Sequence, residues 1–210
     1  MKRIQELQRE SFPRCKPLPG VERLLGDLGR RSEVEVALAT SSHQGNYELK
    51  TQSLKELMSV FPEENRVLGD DKRIPAGRGK PAPDIYLLAL KTVNDRRRRE
   101  GKDEVTPAEC LVFEDSVPGV EAGRRAGMQA VWVPHPGLAE EMKGKEELIL
   151  AGLMGEHKEI EEKNAQIGVV EHDGQARKKG APGEVGDGWG RHLQTLEDFP
   201  YESYGIRLSV

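Results

Sequence analysis

Glu114 and Asp115 stand side by side at the end of a short apolar run, Cys110 to Phe113. Such a run reads as a strand buried on both faces. A charge beside a core costs on the order of several kcal/mol unless something compensates it. A divalent cation bound through hard oxygens supplies that compensation, and Mg²⁺ is the common choice where phosphate is also handled. A helix N-cap plus a solvated loop acid is the blander alternative for this pair. A second apolar run, Glu35 to Ala39, ends in Thr40, Ser41 and Ser42. Hydroxyls and backbone N–H groups where a strand turns into a helix form an anion site, although Ser and Thr are also common N-caps. Between the two runs, Gly77-Arg78-Gly79-Lys80-Pro81-Ala82-Pro83-Asp84 holds a lysine in a stiff loop ahead of a helical pattern (Ile85, Leu88, Ala89, Val93). A free loop lysine is usually solvated, whereas one bracketed by turn-formers stays near a charged ligand.

The elements that must position these groups alternate. The patterning predicts helices over 2–12, 20–30, 44–60, 83–93 and 117–126, with a short one near 138–149. Strands are predicted over 34–39, 66–69, 110–114 and 129–133. Helix 44–60 presents Tyr47, Leu54, Leu57, Met58 and Phe61 on one side, a core face. Short buried strands alternating with amphipathic helices indicate an α/β fold, a Rossmann-like parallel sheet with helices on both faces. Sites in such sheets lie beyond the carboxyl ends of the strands, where Thr40, Lys80 and Asp115 fall.

Hydroxyl, lysine and diacid in that order resemble the second, third and fourth motifs of the haloacid dehalogenase (HAD) superfamily. The blocks ALATSS (Ala37–Ser42), VLGDD (Val67–Asp71), GKPAPDIYL (Gly79–Leu87), CLVFEDSVPGVEAGRRAGM (Cys110–Met128) and FPYESYGI (Phe199–Ile206) are similar to the pseudouridine-5′-phosphatase-like group, a neighbour of the β-phosphoglucomutase-like enzymes. The resemblance implies a hydrolase, a Mg²⁺-dependent phosphomonoesterase of small phosphorylated metabolites, with pseudouridine 5′-phosphate among the candidates. It also implies the roles. Thr40 and the Ser41 backbone N–H would hold the phosphoryl group, Lys80 would neutralise its charge, and Asp115 would bind Mg²⁺ with Glu114 as acidic partner, directly or through water. Charge placed against the phosphoryl oxygens is what phosphoryl transfer requires.

The chain departs from the family in one respect. The family begins with a strand ending in D-x-D-G-T that carries the nucleophile and the general acid–base. No D-x-D occurs in these 210 residues, and no Asp precedes Asp27. Read against the resemblance, residues 1–18 are a remnant of a helical cap, 19–150 a HAD-like core without its central nucleophile strand, 151–192 a flexible insertion, and 193–210 a segment returning to the core. Whether the chain is itself an enzyme is left open. The alternatives are a protein inactive on its own, a non-catalytic phosphate- and Mg²⁺-binding or regulatory pseudoenzyme, and a truncated gene model.

Composition bounds the rest. A net charge of −4 argues against nucleic acid as a partner, and the run Arg96 to Arg99 is followed at once by Glu100, Asp103 and Glu104, as in a solvated loop. Polarity concentrates in Asn94–Pro107, read as a hydrophilic insertion, and in Met154–Arg191, which has few large apolar residues. Two distant cysteines, Cys15 and Cys110, make neither a disulfide framework nor a zinc site, and fit a reducing, cytoplasmic setting. No long apolar run or signal peptide points to a membrane. His43 and His135 lie near strand ends without partner spacing. Oligomeric state is left open.

Overall fold

The computed structural model describes residues 2–155, 169–172, 175–178 and 180–207. The chain divides into two compact units, Met1–Asp70 with Thr195–Val210, and Asp71–Gln194. It is an α/β protein with parallel strand pairs and flanking helices. Among the described residues no helix is long and apolar enough to cross a membrane.

The first unit runs α1 (Lys2–Ser11), α2 (Val21–Gly29), β1 (Leu38–Ala39), α3 (Gln44–Thr51), α4 (Lys55–Met58) and β2 (Arg66–Val67). Leu24 and Leu28 sit one helical turn apart and are the buried positions of α2. Its entry needs Gly20, at φ +86°, where a Cβ would lie 2.1 Å from the backbone of Leu196. The C-terminal segment packs on the same helix: the Leu196 N–H donates to the Pro19 carbonyl (3.0 Å) and the Tyr201 hydroxyl to Asp27 (2.9 Å). β1 and β2 pair in parallel, with Leu38 opposite Arg66 and Ala39 opposite Val67. The strand expected over 34–39 is therefore much shorter. Upstream, the Val36 carbonyl is taken by the side-chain amide of Asn65 (3.2 Å) rather than by a strand. Helix 44–60 is likewise two pieces, with a turn closed by Leu54 N–H to Thr51 O (2.9 Å).

The second unit contains α5 (Asp84–Arg99), β3 (Leu111–Glu114), α6 (Val117–Arg125), β4 (Gln129–Trp132), α7 (Pro136–Glu141), α8 (Glu146–Ala151), the antiparallel pair β5 (Val169–His172) and β6 (Gln175–Lys178), and β7 (Gly190–His192). α5 runs six residues past its expected end at 93. Asp84 in its first turn and Arg96–Arg99 in its last both complement the helix dipole. The stretch Asn94–Pro107 is thus half helix, and buried Asn94 clasps Val105 with two bonds of 2.8 Å. The single helix expected near 138–149 is broken between α7 and α8 at Gly144, φ +81°.

β3, β4 and β7 form one parallel sheet in that order. Its core on one face is Val117, Val120, Ala130, Trp132 and Ile149. β7 lies inside 151–192, where the sequence shows no strand pattern. Next to β7 that segment is tied down by the buried Arg124–Asp187 ion pair and by the Ala130 N–H bonded to the Trp189 carbonyl (2.9 Å). Residues 156–168, 173–174 and 179 of it lie outside the described residues.

Candidate functional site

Of the residues singled out by sequence, Thr40 and Ser41 belong to the first unit, and Lys80, Glu114 and Asp115 to the second. In the first, Thr40 follows β1 and prolongs its ladder, donating its N–H to the Val67 carbonyl (3.0 Å). Its hydroxyl oxygen accepts the Ser42 N–H (3.2 Å), so the O–H proton stays available to a bound oxygen. Ser42 in turn accepts from Lys50 Nζ (3.0 Å), which stands 4.6 Å from the centre of the Phe12 ring. Gly69 lets the neighbouring loop close on this turn, since a Cβ there would lie 2.2 Å from the Ser41 carbonyl oxygen. Asp70 caps α3 by accepting the Gln44 N–H (3.2 Å). Ser41 is exposed.

In the second unit, the loop before α5 is pinned by Arg78 to Asp84 (2.7 Å). That places Lys80 against Glu114, with side chains only 9% and 6% exposed. Glu114 ends β3 on its buried face and is fully engaged. One oxygen, Oε1, accepts from both Lys80 Nζ and the Tyr86 hydroxyl. The other, Oε2, accepts the Ser116 hydroxyl (2.9 Å) and its backbone N–H (3.4 Å). Ser116 also caps α6, its hydroxyl oxygen accepting from Gly119 N–H (3.1 Å). Burial first, then the Glu114 charge, raises the Tyr86 hydroxyl well above the usual phenol range, so it remains a donor. Asp115, the next residue, is exposed at the strand end.

Lys80 and Glu114 thus meet directly, and Asp115, the residue after Glu114, is exposed. Among the described residues no three His, Cys, Asp or Glu side chains gather into a metal cage. Mg²⁺ characteristically uses one or two carboxylates together with water and phosphate oxygens, and an exposed strand-end carboxylate fits that mode. The sequence reading missed Tyr86, Ser116 and Gly119. Their signal is spacing: Tyr86 lies on the turn of α5 that follows the Lys80 loop, and Ser116 sits where the N-cap of α6 must be. Of the two histidines near strand ends, His135 uses its ring nitrogen to cap α7 through the Gly137 N–H (3.2 Å). Burial pushes the Cys110 thiol up to about 12, which leaves it a poor nucleophile.

The model of the haloacid dehalogenase-like hydrolase family matches residues 5–127. A probable pseudouridine-5′-phosphatase of Saccharomyces cerevisiae is 40% identical over 146 residues, covering 70% of this chain and 58% of the yeast protein. Another from Drosophila melanogaster is 43% identical over 139 residues, covering 65% and 54%. The chain spans about half the length of the curated relatives it matches. Among solved structures, a family IA, variant 3 HAD hydrolase from Entamoeba histolytica aligns with a TM-score of 0.54 at 27% identity, over 72% of this chain and 59% of that one. The chain belongs to the haloacid dehalogenase-like hydrolase family.

Proposed function

We propose that this chain carries the phosphate- and Mg²⁺-holding groups of a phosphomonoesterase acting on small phosphorylated metabolites, pseudouridine 5′-phosphate first among them. The observation that carries this reading is the buried Lys80–Glu114 pair beside exposed Asp115. A fixed cation and an exposed acidic residue near one strand end suit a phosphate with its metal. In the second unit Lys80 would offset phosphate charge and Asp115 would hold Mg²⁺ with Glu114 behind it; in the first, the Thr40 hydroxyl and the Ser41 N–H would be donors for a phosphoryl oxygen. Bound Mg²⁺ would supply charge neutralisation at the phosphoryl oxygens. The relatives' printed names support the substrate class, and a cytoplasmic setting goes with it.

Hydrolysis by the family's route also needs the attacking aspartate that the resemblance places in D-x-D, and the 210 residues contain no D-x-D. The same fact favours a second reading, a protein that binds phosphate and Mg²⁺ without turning over. The 210-residue chain is therefore expected to show no measurable hydrolysis of p-nitrophenyl phosphate with Mg²⁺, since loss of a covalent nucleophile costs on the order of 10⁴–10⁶ in kcat. Turnover abolished by Asp115→Ala would show that the chain supplies its own nucleophile. Phosphate binding lost in Lys80→Ala, without turnover, would uphold the binding reading.

A further inference from the structure

The Glu114 carboxylate is partnered on both of its oxygens. An ionised carboxylate offers about four acceptor positions on its two oxygens. Here Lys80 Nζ and the Tyr86 hydroxyl take Oε1, while the Ser116 hydroxyl and N–H take Oε2. The carboxylate also lies over the first turn of α6, where a Cβ on Gly119 would fall 2.0 Å from its carboxyl carbon. Lys80 Nζ stands 4.9 Å from the centre of the Tyr86 ring. The phenol therefore meets the lysine through its face and the lysine's partner through its hydroxyl.

We propose that Tyr86 is a positioning residue for Lys80. Its hydroxyl, together with the room left by Gly119, fixes the Glu114 carboxylate so that one oxygen faces the ammonium. The importance of Lys80 rests on the phosphate reading above; the positioning itself does not. Ser116 fixes one end of the carboxylate and Tyr86 the other, which leaves it no free rotation. The stiff Gly- and Pro-bracketed loop fixes the Lys80 backbone but not its ammonium, because the four-carbon stem is flexible.

The test follows the Lys80 ammonium of the full chain by ¹⁵N NMR, where a paired, shielded NH₃⁺ exchanges its protons slowly enough to be seen. Tyr86→Phe keeps the ring and removes only the hydroxyl. It is expected to speed proton exchange at Lys80 by about tenfold, the weight of one hydrogen bond to a charged group. Exchange at Lys91, on the same helix, and backbone amide protection should not move. Gly119→Ala is expected to give the same signature at Lys80 by displacing the carboxylate. An unchanged Lys80 signal in Tyr86→Phe overturns the proposal, and so does a uniform loss of protection across the unit, which would mean Tyr86 only holds the fold. Addition of inorganic phosphate separates the two readings. If phosphate leaves the Lys80 signal of the unaltered chain unmoved while Tyr86→Phe shifts it, the phosphate reading fails and the positioning role stands.

Discussion

Gly119 faces Glu114 so closely that a methyl group on it would lie 2.0 Å from the carboxyl carbon. Glycine inside a helix is otherwise a cost of roughly 0.5–1 kcal/mol relative to alanine. Here the close approach outweighs that gain. Glu114 is held by four bonds, so moving it aside for a methyl group breaks some of them. Gly119→Ala is expected to destabilise by about 1–3 kcal/mol, as overpacking does. Gly45 in α3 has nothing within 4 Å, so Gly45→Ala should stabilise by about 0.5–1 kcal/mol. Urea denaturation of both variants checks the pair, and equal signs would contradict the close approach.

The link between α6 and the segment before β7 rests on an ion pair whose side chains are 1% and 10% exposed, Arg124 and Asp187. Asp187 also accepts the N–H groups of Glu184 (3.1 Å) and Trp189 (2.9 Å). Removing one partner of a buried pair strands the other charge, a loss of about 3–5 kcal/mol. Asp187→Ala should therefore lower the melting temperature and expose the Ala130 amide, bonded to the Trp189 carbonyl, to hydrogen exchange. A protected Ala130 amide in that variant would mean β7 is held by something else.

Much of this architecture is legible in the sequence, and the misses share a cause. α2, α6, β3 and β4 are read within a residue or two because their apolar spacing reports a face that packs. The end of α5 is missed because Asn94–Arg99 is polar. Its helix is kept by the dipole of the last turn and by Asn94's bonds to Val105, neither of which has a periodicity. β7 is missed because Gly190-Arg191-His192 has no apolar pattern; it is a strand through backbone pairing with β4. The same holds at the candidate site. Lys80, Glu114 and Asp115 stand out as charges in apolar or rigid surroundings, whereas Tyr86 and Gly119 look like ordinary helix residues until the carboxylate between them is placed.

Tyr201 gives a pH signature. Burial, then its hydrogen bond to Asp27 and that carboxylate's charge, raises its hydroxyl from an ordinary 10.0 to about 12. A raised folded-state value means that the native chain holds the proton more tightly than the unfolded one. The stabilisation is complete below pH 10 and is lost as pH climbs toward 12. Other groups titrate in the same range, so the check is a difference: the stability gap between the unaltered chain and Tyr201→Phe should narrow across that window. A gap constant with pH would remove the Tyr201–Asp27 bond from the account.

Neighbouring carboxylates with different surroundings should answer differently to neutralisation. Glu114 is enclosed and fully bonded, while Asp115 is exposed. Glu114→Gln keeps the shape but leaves Lys80 without its buried counter-charge, so its effect should appear as stability, about 3–5 kcal/mol. Asp115→Asn removes a charge whose loss the fold does not feel, because changes at exposed positions stay within about 0.5 kcal/mol. Its effect should appear instead with a divalent cation. Titrated Mn²⁺ should broaden backbone NMR signals around Asp115 in the unaltered chain and in Glu114→Gln, and leave them sharp in Asp115→Asn. Broadening that disappears in Glu114→Gln while the fold is retained would make Glu114 a direct ligand. Its bonds to Tyr86 and Ser116 would then have to open on binding, and the enclosed carboxylate would be a resting state rather than a working one.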